Sequence, residues 1–265
     1  MNSRKTFFYS FLLSVFAAMG VFTLVYITMS SSLETDTPQQ GVPMGRPGIE
    51  DSKTVLLCVE GDCPYFLLMK FNAIENRVGI AAISQGFEIS TNSLGHRLES
   101  AGAMQCLMDI EAEYGITIDY YLQCPWQQLA VLVEDMDDIG IDSLGENLPQ
   151  SIRNYLLKGV NRLDGKSLVN AAEKAAGFMD NEIGLAFLVS GRKALIENNM
   201  EKLSTCAGSE MKKNYADYVT NINSSQMKRM DRIINFLSAA HVTYDCAVIV
   251  KGDSQSHEKI NSIIQ

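Results

Sequence analysis

The chain has no Cys-x-x-Cys pair among its six cysteines, and its three histidines (His96, His241 and His257) stand far from any thiol pair at ligand spacing. That argues against a zinc site, whose ligands come as closely spaced Cys and His pairs. There is no basic stripe either. Lys and Arg number 22 against 31 Asp and Glu, for a formal net charge of −9 and a pI near 4.9. A surface that tracks nucleic-acid phosphates by releasing counterions is therefore excluded. No internal repeat is present. Ser84 stands in "ISQGF", which lacks the Gly-x-Ser-x-Gly elbow of a nucleophilic serine. The acidic run Glu134, Asp135, Asp137, Asp138 lacks the glycine and alternating spacing of a calcium loop, and reads as a solvated helix end.

What is present begins with a long apolar run. Arg4 and Lys5 precede an uncharged stretch from Thr6 to Ser32, and Glu34 and Asp36 follow it. A helix of about 20 apolar residues crosses a bilayer core of about 30 Å. Cations before the run and acids after it put the N-terminus in the cytoplasm and the rest of the chain outside. A cleaved signal peptide is the alternative, but its apolar core spans only about 7–15 residues. The expected organisation is a cytoplasmic tail at 1–5, a single-pass signal anchor at 6–29, a linker at 30–52 rich in Ser, Thr, Pro, Gly and Gln, and an extracytoplasmic domain at 53–265. Disulfides are chemically allowed there. Cys58, Cys106 and Cys246 nevertheless sit in apolar segments, where a free thiol behaves as a small hydrophobe. A Cys58–Cys63 bridge across a turn is the alternative.

Periodicity gives alternating strands and helices. "TVLLCVE" (54–60), "YFLLMKFN" (65–72) and "RVGIAAIS" (77–84) read as an opening meander. A helix over 97–115 stops at Gly115, "IDYYLQC" is a further strand, and Pro125 opens the next helix in its first turn. Helices over 164–179, 187–207 and 226–240 and a closing strand in "VTYDCAVIVKG" complete the pattern. Strands interleaved with helices predict a three-layer α/β/α sandwich with a central mixed sheet, preceded by one N-terminal transmembrane helix.

The order of these pieces resembles the LytR-CpsA-Psr family of cell-envelope proteins. The matching stretches are "TVLLCVEGD", "FLLMKFNAIENRVGIAAIS", "YGITIDYYLQCPWQQLAVLVEDM" and "LKGVNRLDGKSLVNAAEKA". The resemblance implies an anchored extracytoplasmic domain that, when active, moves a glycopolymer from a polyprenyl-pyrophosphate carrier to peptidoglycan. Arginines and a magnesium-binding aspartate would grip the pyrophosphate. Where the family carries Pro-Arg-Asp after its central strand, this chain has Ser84, Gln85 and Gly86, the serine expected to be exposed. The carboxylate that precedes the second strand falls near Cys63 and Pro64, with Asp62 the nearest substitute and the expected magnesium ligand. The paired arginines fall on Glu173 and Ala175, and the later Arg-Gln segment falls near "SGRKAL", where Arg192 remains.

A pyrophosphate ester carries two negative charges, and its displacement needs cations or metal where charge collects. Lys70, Arg77 and Lys166 are further cations that could supply charge by reaching inward, although each is more simply a solvated surface group. Trp126 reads as core, and His96 as a base without a nucleophile. Two functions are consistent with these residues. One is a catalytically degenerate binding or regulatory module that retains a polyprenyl-phosphate lipid or cell-wall glycopolymer, or pairs with an envelope protein partner, and needs no cofactor. The other is an active magnesium-dependent transferase, with Asp62 on the metal and Arg192 or Lys166 supplying charge.

Overall fold

The computed structural model describes residues 45–89, 92–145, 148–175 and 181–264. The expected anchor at 6–29 lies outside these residues; among those described, no helix is long and apolar enough to cross a membrane. Residues 46–265 form a unit with one central sheet.

Strands β1 (Ser52–Glu60), β2 (Tyr65–Asn72) and β3 (Arg77–Ile83) form the expected meander. Both faces of β1 are apolar, because side chains alternate along a strand. Val55, Leu57 and Val59 point into one core, and Leu56 and Cys58 into the other. After the short pair β4 (Glu88–Ile89) and β5 (Asn92–Ser93) comes helix α1 (Leu94–Tyr114). Ser93 caps its start, and Gly115, with φ of +64°, ends it as the sequence predicts. Strand β6 (Tyr120–Pro125) runs directly into helix α2 (Trp126–Leu132). Pro125 is thus the last strand residue and the N-cap, one place before the expected first turn.

Next come β7 (Ile139–Gly140), α3 (Gln150–Leu157), β8 (Arg162–Leu163) and α4 (Gly165–Lys174). The Asp164 carboxylate accepts a hydrogen bond from the Ser167 N–H at 2.6 Å and so opens α4. The long α5 (Glu182–Lys213), the short β9 (Val219–Thr220), α6 (Ser224–Ser238), β10 (Thr243–Ile249) and α7 (Ser256–Ile264) follow.

The sheet order is β10-β3-β2-β1-β6-β9. β1 with β6 and β3 with β10 are parallel, while β2 and β9 are antiparallel to their neighbours, which makes the sheet mixed as expected. Helices α1 and α7 cover the face bearing Leu56 and Cys58; α2, α4, α5 and α6 cover the other. The result is three layers. The segment before β1 is also packed: the fully buried Asp51 carboxylate accepts the Gly48 N–H at 2.8 Å and an Arg232 N–H at 3.2 Å.

No cysteine is paired. Cys58 and Cys106 are buried as expected, but Cys246 is exposed, because β10 is an edge strand only partly covered by helices. Cys58 and Cys63 are both free, so the alternative turn bridge is absent.

Candidate functional site

The parallel strands β1, β3, β6 and β10 all end at the same edge of the sheet. Crevices outside the carboxyl ends of parallel strands are where α/β domains place ligands. Here the β1–β2 loop, the turn after β3 and the first half of α1 enclose a cleft of about 920 Å³. Glu60, Gly61, Asp62, Gln85, Gly86, His96, Glu99 and Gln123 line it. A second cleft, of about 450 Å³, shares the Glu60–Cys63 loop and is bounded by Trp126, Gln127 and Glu173. Asp62, Gln85, Gly86 and Glu173, far apart in sequence, therefore gather around one loop.

Ser84 does not join them. It is fully buried, which corrects the expectation of an exposed serine. Its hydroxyl accepts the Gly86 N–H at 3.0 Å, its carbonyl accepts the Phe87 N–H at 3.0 Å, and its own N–H donates to Ile249 at 2.9 Å. The turn after β3 is thus a latch between β3, β10 and the entry to α1. Gln85 adds to it by accepting the Gly95 N–H at its carbonyl, 2.9 Å away. Close approach explains Gly95, where a Cβ would stand 3.3 Å from that of Gln85.

The cleft floor is a polar chain that the sequence did not signal. Gln123, at the end of β6, donates from Nε2 to Glu60 and accepts the Ala103 N–H at 2.8 Å. Helix α1 kinks at Gly102, with φ of +77°, and the Gln123 carbonyl caps the restarted helix. Gly61 closes the other side: its φ is +151°, and a Cβ there would lie 2.9 Å from Trp126 Cδ1. Trp126 itself is core, packed on Tyr65 with ring centroids 4.9 Å apart.

The charge of the site is one-sided. Glu60, Asp62, Glu99 and Glu173 line the two clefts, and among the described residues no lysine or arginine does. Lys166 is exposed and ion-paired to Glu134 at 2.6 Å. Lys202 likewise pairs with Asp137 at 2.7 Å, so this acidic run is engaged with solvent-facing lysines. Lys70 and Arg77 belong to the far end of β2 and the start of β3, at the opposite edge of the sheet, where Arg77 pairs with Asp245. The meander itself rules out their reaching the cleft. Among the described residues, no group of three His, Cys, Asp or Glu is placed to hold a metal. Asp62 lines both clefts, beside Glu60.

Arg192 lines neither cleft. It borders an apolar cavity of about 180 Å³ between the sheet and helices α2, α5 and α6, lined by Leu57, Phe71, Leu195 and five methionines. Its guanidinium reaches the buried Tyr65 hydroxyl, while its Nε has no hydrogen-bond partner. Burial pushes the Tyr65 phenol up to about 12, with Arg192 opposing the shift. Burial likewise raises the Cys124 thiol to about 12. The structure thus separates the expected site residues into an acidic polar cleft and a cation at an apolar cavity.

No family model matches the sequence, and no curated protein matches it. Solved structures do share its fold. A candidate transcription regulator from Eubacterium siraeum DSM 15702 superposes with a TM-score of 0.65 at 14% identity, over 87% of this chain and 95% of that one. TagT bound to LIIa-WTA gives 0.57 at 13% identity, over 86% and 96%. The transcriptional regulator EF0465 of Enterococcus faecalis gives 0.55 at 15% identity, over 76% and 78%. At such identities the likeness concerns the fold.

Proposed function

We propose that this chain is a membrane-anchored, extracytoplasmic domain of LytR-CpsA-Psr type in the cell envelope, which retains a carrier lipid without transferring its glycan. The observation that carries this reading is the acidic cleft, without a lysine or arginine among the described residues, at the sheet edge where the resemblance calls for arginines. Carboxylates there repel a pyrophosphate, and nothing stands ready to collect charge in a phosphoryl transition state. The sequence resemblance and the fold shared with TagT, which was captured with LIIa-WTA, support the cell-envelope setting.

The apolar cavity supports lipid retention. At about 180 Å³ it is smaller than the 300–1,000 Å³ typical of small-molecule sites, so a prenyl chain needs α5 and α6 to part. Its five methionines suit such repacking, being unbranched and adaptable. Arg192 at the cavity edge offers one cation for a lipid phosphate.

The test is mass spectrometry of lipid extracted from the full-length protein, purified gently from its own membrane. Polyprenyl phosphate or pyrophosphate near one per chain is expected, and Ala207→Phe, which fills the cavity, should remove it. Absence of such lipid from the unmodified protein rejects the retention reading. Magnesium-dependent turnover of a polyprenyl-pyrophosphate glycan, abolished by Asp62→Ala, would instead establish an active transferase.

A further inference from the structure

Three of the large apolar side chains that face solvent fall within five residues: Leu156 at 41% exposure, Leu157 at 81% and Val160 at 37%. They sit at the end of α3 and in the turn after it. Ile152, fully buried, and Ser151, whose hydroxyl donates to the Ala171 carbonyl at 2.9 Å, fix the inner side of α3 onto α4. The Gly159 N–H closes on the Leu156 carbonyl at 2.9 Å with φ of +78°, which turns the chain and projects Val160 outward beside Leu157. The corner is therefore held in place with its apolar tips outside.

Within its own stretch the corner reverses the charge of the chain, with Asp138 and Asp164 at its border. Residues 148–163 contain Arg153, Lys158 and Arg162 and no carboxylate, in a protein of net charge −9. All three cations are exposed. Arg153 and Arg162 each donate to a backbone carbonyl, of Leu148 at 2.8 Å and Asp138 at 2.6 Å, so their stems are steadied without neutralising their charge. None of the three is ion-paired among the described residues. Leu156, Leu157 and Val160 line none of the clefts described above.

We infer that the corner from Arg153 to Arg162 docks on an anionic lipid surface. Aliphatic tips flanked in sequence by exposed cations match the boundary between headgroups and acyl chains, where apolar burial and attraction to anionic lipid act together. This reading uses neither the apolar cavity nor the acidic cleft and rests only on the proposed membrane anchoring, whose failure would show as protein that does not float with the vesicles.

The test is hydrogen exchange of the full-length protein reconstituted in vesicles of phosphatidylcholine alone, or with about one third phosphatidylglycerol. Residues 150–162 are expected to exchange at least about fivefold more slowly in the anionic vesicles. That protection should vanish in about 0.5 M salt, which screens surface charge. Leu157→Asp should abolish it, as should the triple change Arg153→Gln, Lys158→Gln, Arg162→Gln, with exchange of the sheet left unaltered in each. Equal protection in both vesicles, or none in either, overturns the inference. So does protection that rises with protein density at fixed lipid, since that outcome identifies a second copy as the occupant.

Discussion

Gly61 shows how far a single residue constrains this site. Its φ of +151° disfavours any side chain, and a Cβ would press on Trp126 at 2.9 Å. Gly61→Ala is expected to cost about 1–3 kcal/mol, from strain and overpacking together, read as a lower urea midpoint. Burial governs the thiols in the same local way. It holds Cys106 and Cys124 up to about 12 and Cys58 well above its ordinary value. An acid whose folded pKa is raised stabilises the fold fully below its unfolded value, about 8.5 for a thiol, and that contribution is lost as pH climbs towards the folded value. Thermal stability should therefore decline between about pH 8.5 and 12. At pH 8 an alkylating reagent should label Cys63, Cys206 and Cys246 well before the three buried thiols; equal rates would contradict the burial described. Residues of this kind were only partly legible in the sequence. The apolar surroundings of Cys58 and Cys106 signalled their burial, but Ser84 looked exposed because a polar side chain in a glycine turn gives no sign that its hydroxyl is used by the turn itself.

Among the elements, the long buried strands were the most legible, since β1, β2 and β3 carry unbroken apolar runs between turn residues. Helices α3 and α7 escaped notice. Each is short, with 8 and 9 residues, and α3 points Leu156 and Leu157 away from the core, which spoils the apolar period. The kink in α1 was equally hidden, because Gly102 is tolerable inside a helix and its cause lies on another strand. That cause is Gln123, which links Glu60 to the Ala103 N–H. Gln123→Ala removes the cap and leaves both groups without this partner in a part-buried floor. A loss of about 1–3 kcal/mol is expected, with hydrogen exchange rising first in residues 94–103. Exchange that rises evenly over the whole sheet would mean that Gln123 packs the core and does not hold the kink.

For the molecule as a whole, topology decides which charges meet. The meander sends Lys70 and Arg77 to one edge of the sheet and brings Glu60 and Asp62 to the other, where α1 and α4 add Glu99 and Glu173. The resemblance located the positions where arginines would be expected, yet the concentration of four acids around one loop needed the fold. Carboxylates lining one site raise the energy of any phosphate that enters, and salt of about 0.1 M screens them only beyond about 10 Å. Inorganic pyrophosphate should therefore give no calorimetric signal with the unmodified protein at concentrations up to about 1 mM, a binding free energy weaker than about −4 kcal/mol. Replacing Gln85 and Glu173 together by arginine puts cations at two positions where the resemblance places them and removes one of the repelling carboxylates. Binding should then tighten by at least about tenfold, equivalent to about 1.4 kcal/mol, and weaken again as salt is raised. Tight, salt-sensitive pyrophosphate binding by the unmodified chain would overturn this electrostatic account of the cleft.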